Sequence, residues 1–144
     1  MQSNKLRIFV SYAHDDDAVL LDGHNKGWVS QLIDKLNIVL KQKMGGQIRF
    51  DIWQDQKKLS GNNELNQSIY DALDEADIFI MILSPCYLNS SWCKKELNYF
   101  VEKMPIKDIT RIFVIEKDKI NRKDLPDCIK VASPFPFITS GGSV

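Results

Sequence analysis

Apolar residues are distributed along this chain with two alternating periods. Leu6-Arg7-Ile8-Phe9-Val10-Ser11-Tyr12 is rich in β-branched and aromatic residues and reads as a strand. A polar stretch containing His14-Asp15-Asp16-Asp17 follows and runs to Gly27. From Trp28 the period changes: Trp28, Leu32, Leu36, Val39 and Leu40 recur at helical spacing until Gly45-Gly46. Ile48 to Trp53 alternates as a second strand, and Glu64 to Ala76 carries Leu65, Ile69, Ala72, Leu73 and Ala76 on one helical face. Asn62 or Asn63 is a candidate cap for that helix. Ile78 to Leu83 is apolar at every position, as in a strand covered on both sides, and this third strand is expected to end at Ser84.

A polar turn from Ser84 leads to a helix from about Ser91 to Met104, with Ser90 and Ser91 as its caps. Thr110 to Glu116 reads as a fourth strand, and Asp124 to Ile129 has a weak helical signal. Pro134 to Ile138 is compatible with a short fifth strand at an edge, where its prolines are tolerated. Strand and helix therefore alternate. The expected fold is α/β, a flavodoxin-like five-stranded parallel sheet of order 2-1-3-4-5 with helices on both faces. In that order the winding reverses between strands 1 and 3, and ligands bind outside the carboxyl ends of the strands at that point. The loops after Ser11 and after Ser84 should flank one crevice.

Composition narrows the functional classes. The 144 residues suit one domain, 1–144, with 139–144 expected to be a disordered tail. Nineteen basic residues balance nineteen acidic ones, so the charge footprint of a nucleic-acid binder is missing and no nucleic acid is expected as a partner. No apolar run reaches the roughly 18 residues of a membrane span. No leader pattern precedes the first strand, and neither membrane nor export is expected. Cys86, Cys93 and Cys128 have no paired spacing, which argues for a reducing, cytoplasmic setting. His14 and His24 lack metal-ligand spacing, so no metal is expected.

The chemistry concentrates in Ser84 to Phe100. Trp92 and Glu96 lie four residues apart and share a helical face beside Tyr99 and Phe100, while Cys93, Leu97, Val101 and Met104 form the neighbouring apolar stripe. Glu96 is then either a carboxylate at the margin of the core or a solvated helix residue beside Lys94 and Lys95. Asp15 to Asp17 read as solvated loop and helix-entry charges. A receiver domain needs an aspartate ending strand 3, where this chain has Ser84-Pro85, and a flavodoxin needs a hydroxyl-rich phosphate loop, which Ser-Tyr-Ala-His-Asp does not supply. There is no Walker loop, no G-x-G-x-x-G and no nucleophile elbow.

Taken together, these segments resemble a TIR (Toll/interleukin-1 receptor) domain of bacterial type. RIFVSYAHDD, DIWQDQKKLSGNNELNQSI, DIFIMILSPCYLNSSWCKKEL and RIFVIEKD carry the likeness, above all Ser-x-x-Tyr-x-x-Ser-x-Trp-Cys-x-x-Glu-Leu. It extends from about Lys5 to Ile138 and implies the same five-stranded sheet. Some members of that family are adaptors, and others cleave the nicotinamide–ribose bond of NAD+. The enzymatic members carry a glutamate four residues after a tryptophan, an arrangement that Trp92 and Glu96 match. The resemblance thus implies Glu96 as catalytic residue, Trp92, Ser11, Tyr12, Ala13, Ser84 and Trp53 as substrate-binding residues, and a self-association loop with Asp55, Lys57, Lys58 and Gly61.

NAD+ would be the substrate, with no cofactor, and the product linear or cyclic ADP-ribose. Other TIR domains and a sensor domain in a longer chain would be the partners, since the family's last helix is missing here. The alternatives are a non-catalytic interaction module and a mimic that disturbs host signalling.

Overall fold

The computed structural model describes residues 5–19, 26–46, 49–54, 67–103, 111–125 and 137–139. Four strands, β1 (Lys5–Ser11), β2 (Arg49–Gln54), β3 (Ile78–Leu83) and β4 (Ile112–Glu116), form a parallel sheet in the order β2-β1-β3-β4. A short β5 (Phe137–Thr139) adds three parallel pairs to the outer side of β4, from Val114↔Phe137 to Glu116↔Thr139. The helices are α1 (Trp28–Met44), α2 (Gln67–Glu75), α3 (Pro85–Asn89) and α4 (Ser91–Lys103). Residues 64–66, where the second helix was expected to begin, lie outside the described residues, as do its candidate caps Asn62 and Asn63.

Strand alternation builds two cores. Phe9, Phe79, Met81, Leu83, Ile112 and Val114 face α2 and α4, where Ile69, Leu73, Cys93, Leu97 and Phe100 complete the cluster. Trp53, Phe9, Phe79 and Phe100 run across this side as a stack, with ring centroids 5.0, 5.7 and 5.1 Å apart. Ile8, Val10, Ile80, Ile82 and Ile115 face the other way, onto Val29 and Ile33 of α1. β3 is buried from Phe79 to Leu83 because both layers cover it. The stripe of α1 is shifted from the expected one: Val29 and Ile33 are buried, Leu32, Leu36 and Leu40 half-buried, and Val39 exposed.

Both ends of α1 have local causes. Gly45 takes the left-handed conformation, φ 61°, and its N–H donates to the Lys41 carbonyl at 3.1 Å. At the other end the N-cap is Gly27, which has no side chain to offer. The Asp17 carboxylate takes that place from the preceding loop. Its Oδ1 accepts from the Ser30 N–H at 2.7 Å and its Oδ2 from the Ser30 hydroxyl at 2.7 Å. The loop lies so close that a β-carbon on Gly27 would overlap the Asp17 carbonyl.

That approach predicts that Gly27→Ala forces the loop off the helix. The expected loss is about 1–3 kcal/mol, the usual range for an overpacked site, read as a lower thermal midpoint. Asp17→Ala removes the borrowed cap and should cost about 1 kcal/mol.

Candidate functional site

The winding of the sheet reverses between β1 and β3, and a crevice of about 490 Å³ opens outside their carboxyl ends. Ala13, His14 and Asp15 line one side, and Cys86, Asn89 and Ser90 the other. Ser84 closes β3 and starts α3, a helix where the sequence reading had a turn. Its hydroxyl accepts from the Tyr87 N–H at 3.1 Å, and Pro85 occupies the first helical position. Ser90 caps α4 in the same way, accepting from the Cys93 N–H at 3.1 Å.

Glu96 sits on the second turn of α4 and is fully buried, at 0% exposure. Its surroundings are more specific than an apolar margin. The Ser11 hydroxyl donates to Oε1 at 2.7 Å, and the Trp92 indole N–H donates to Oε2 at 3.0 Å. A carboxylate inside a protein needs such donors, because each unmet lone pair loses its hydration without replacement. Ser11 also lies 2.8 Å from the Tyr87 hydroxyl, and both residues are buried. Residues from β1, α3 and α4 therefore meet around one acidic group.

The remaining sequence candidates fall in different places. Ala13 lines the crevice. Tyr12, adjacent to Ser11 in a strand-like stretch, points to the opposite layer: it packs in the cluster of Val10 and Val29, and its hydroxyl accepts from Gln54 at 3.4 Å. Trp53 is half-buried and stacks on Phe9 in the aromatic row, a packing role on the α2 and α4 side. Ser84 donates to Asp16 Oδ2 at 2.5 Å, which ties it to the loop after β1. Asp55, Lys57, Lys58 and Gly61 lie outside the described residues.

One of the three aspartates, Asp16, departs from the expected solvated loop and helix-entry charge. Asp16 is 8% exposed, bonded to Ser84 and 3.8 Å from the Lys117 ammonium, which in turn lies over the Trp28 ring at 5.6 Å. Asp17 caps α1 and also accepts from Gln54 at 3.2 Å. Asp15 is the exposed loop charge, and Asp17 the helix-entry charge, that the sequence led one to expect. Asp15 lines the crevice, and no group of three metal-ligating side chains exists among the described residues.

Sequence reasoning gave Tyr87 no role. The signal was present in Ser84-Pro85, a cap followed by the proline of a first helical position, which places the third helical residue, Tyr87, back over the strand end.

Cys86 is the exposed thiol on the crevice wall. Desolvation pushes its pKa up, and the negative charges of Asp16 and Asp15 push it further the same way. Thiolate is the reactive form, so alkylation of Cys86 by iodoacetamide at pH 7.5, followed by mass spectrometry, should run slower than alkylation of glutathione. It should accelerate only in the alkaline range.

The family model for the TIR domain matches residues 8–133. Among solved structures, the chain is similar to the TIR domains of the activated Roq1 resistosome directly recognizing the pathogen effector XopQ, with a TM-score of 0.54 and 18% identity. That likeness covers 86% of this chain and 66% of the other, so this chain spans just under two thirds of its solved relative, and at this identity it shows the fold. No curated protein matches. With most of its length matched by the family model, and with the parallel order β2-β1-β3-β4 beneath a crevice at the point where the winding reverses, the chain belongs to the TIR domain family.

Proposed function

We propose that the chain is an NAD+ nucleosidase that cleaves the nicotinamide–ribose bond and releases nicotinamide with ADP-ribose or a cyclised form of it. The observation that carries this reading is Glu96, a fully buried carboxylate held at both oxygens by Ser11 and Trp92, on a helix capped at the crevice edge. Family membership supports it, since some TIR domains cleave NAD+.

The chemistry suits a single carboxylate. Ordinary glycosidases need an acid to protonate a poor leaving group and a second carboxylate opposite it. Nicotinamide in NAD+ carries a positive charge and departs neutral, so no general acid is required. What the protein must supply is a negative group for the oxocarbenium-like ribose. Glu96 takes that role, and Ser11 fixes its orientation. Water then adds at C1′ and loses a proton to give ADP-ribose, or a nitrogen of the adenine adds there to give the cyclised form. Trp92, itself half-buried, donates to Oε2. In this reading the indole moves aside and stacks on a flat ring of the dinucleotide. The crevice walls, with Ala13 and the backbone around Ser84, hold the rest of it.

Self-association is the proposed switch, and the residues expected to mediate it are Asp55, Lys57, Lys58 and Gly61. The solved relative is an activated resistosome that recognises a pathogen effector, which supports an assembled state and an immune role for this chain too. A sensor domain would belong to a longer protein. No helix among the described residues is long and apolar enough to cross a membrane. A second reading, a non-catalytic TIR–TIR docking module, is favoured by the same burial, because a carboxylate with no exposed surface serves equally as a structural clamp.

Nicotinamide release by concentrated protein separates the two. Wild type should release nicotinamide, and Glu96→Ala should slow it about 100- to 1,000-fold, the usual effect of losing one preorganised electrostatic group. Equal rates from both proteins, or no release from an assembled wild type, would leave the docking module.

A further inference from the structure

The contact between Tyr87 and Ser11 has a direction. A serine hydroxyl has one hydrogen, and that of Ser11 is committed to Glu96 Oε1 at 2.7 Å. The 2.8 Å contact to the Tyr87 hydroxyl is then made by the tyrosine's hydrogen. The result is a one-way chain, Tyr87 O–H to Ser11 O–H to the carboxylate. All three residues are buried, Tyr87 at 1% and the other two at 0% exposure, so bulk water does not compete for these bonds.

Resting on the proposed function above, we infer that Tyr87 is a positioning residue for Glu96 and acts through Ser11. A donor behind Ser11 fixes its rotor and strengthens the bond it gives, because successive hydrogen bonds polarise one another. The phenol is itself well placed to stay fixed. It is the third residue of α3, a helix whose start is set by Ser84 and Pro85. Ser84 is in turn bonded to Asp16. A chain of contacts therefore runs from the crevice loop, Asp16 to Ser84 to Tyr87 to Ser11, and ends on Glu96 Oε1.

Two readouts test the relay, one by activity and one without it. In the kinetic arm, Tyr87→Phe should lower kcat for nicotinamide release about three- to tenfold with KM unchanged. Ser11→Ala should lower it about ten- to a hundredfold, as expected for a bond to a charged group. The double variant should be no slower than Ser11→Ala alone, because the phenol works through the serine. Additive losses would overturn the relay.

In the second arm, the Trp92 indole N–H donates to Glu96 Oε2 and reports on the carboxylate in an amide and indole correlation spectrum. The chain has three tryptophans, Trp28, Trp53 and Trp92, and Trp92→Phe assigns the signal. Tyr87→Phe should move the Trp92 indole resonance while leaving those of Trp28 and Trp53 in place. In a Ser11→Ala background the same change should leave all three unmoved. Ser11→Ala by itself should also move the Trp92 signal with Tyr87 intact. An unmoved Trp92 resonance in either single variant would overturn the inference. A chain that does not cleave NAD+ yet shows these shifts would remove the proposed activity and keep the relay.

Discussion

An acidic side chain deprived of water persists only where donors reach each of its oxygens, and in this protein that requirement draws three elements together. Ser11 comes from the end of β1, Trp92 from the start of α4, and Tyr87 from the short helix between β3 and α4. Trp92 reaches Glu96 along its own helix, but Ser11 and the Tyr87 behind it meet the carboxylate because β1 and β3 are neighbours in parallel register, Ile8 beside Ile78 and Ser11 beside Met81. The apolar sheet sets that adjacency, and the polar cluster uses it. A buried group of this kind is strongly destabilising when one partner is lost, so the cluster also restricts how the elements can shift.

A second tier of polar contacts surrounds the first. Asp16 joins the loop after β1 to Ser84 and Lys117, which links the ends of β1, β3 and β4. Asp17 joins the same loop to α1 through Ser30 and to β2 through Gln54. The loop that forms one wall of the crevice is thus fastened both to the sheet ends and to α1. Its one exposed acid, Asp15, stands on the crevice side, where it shares the wall with His14.

Much of this was legible in the sequence. The all-apolar run Ile78 to Leu83 reads as a strand covered on both faces, and alternation with helices then points to a parallel sheet with strand 1 beside strand 3. The crevice followed from strand order, and the pairing of Trp92 with Glu96 from helical spacing. What escaped was side-chain direction and local competition. Asp16 is as polar as Asp15, and no period tells a carboxylate buried against Ser84 and Lys117 from one in solvent. Tyr12 follows Ser11 by one residue, and motif matching placed both at the site, whereas strand geometry sends them to opposite layers. The shift of the α1 stripe from Val39 to Val29 and Ile33 has the same origin, since spacing identifies a face but not which of two overlapping faces is covered.

That opposition of Ser11 and Tyr12 has a consequence for how the protein tolerates change. Between the core of β1 and the aspartates, each residue is counted: Phe9 and Ser11 belong to one layer, Val10 and Tyr12 to the other. Deleting a single residue of the strand before Ser11 would exchange the two sets, putting a phenol against Glu96 and a serine on the side of Val29. The number of residues from Phe9 to Tyr12 is thereby fixed by the pleat, a constraint on length that no individual side chain carries.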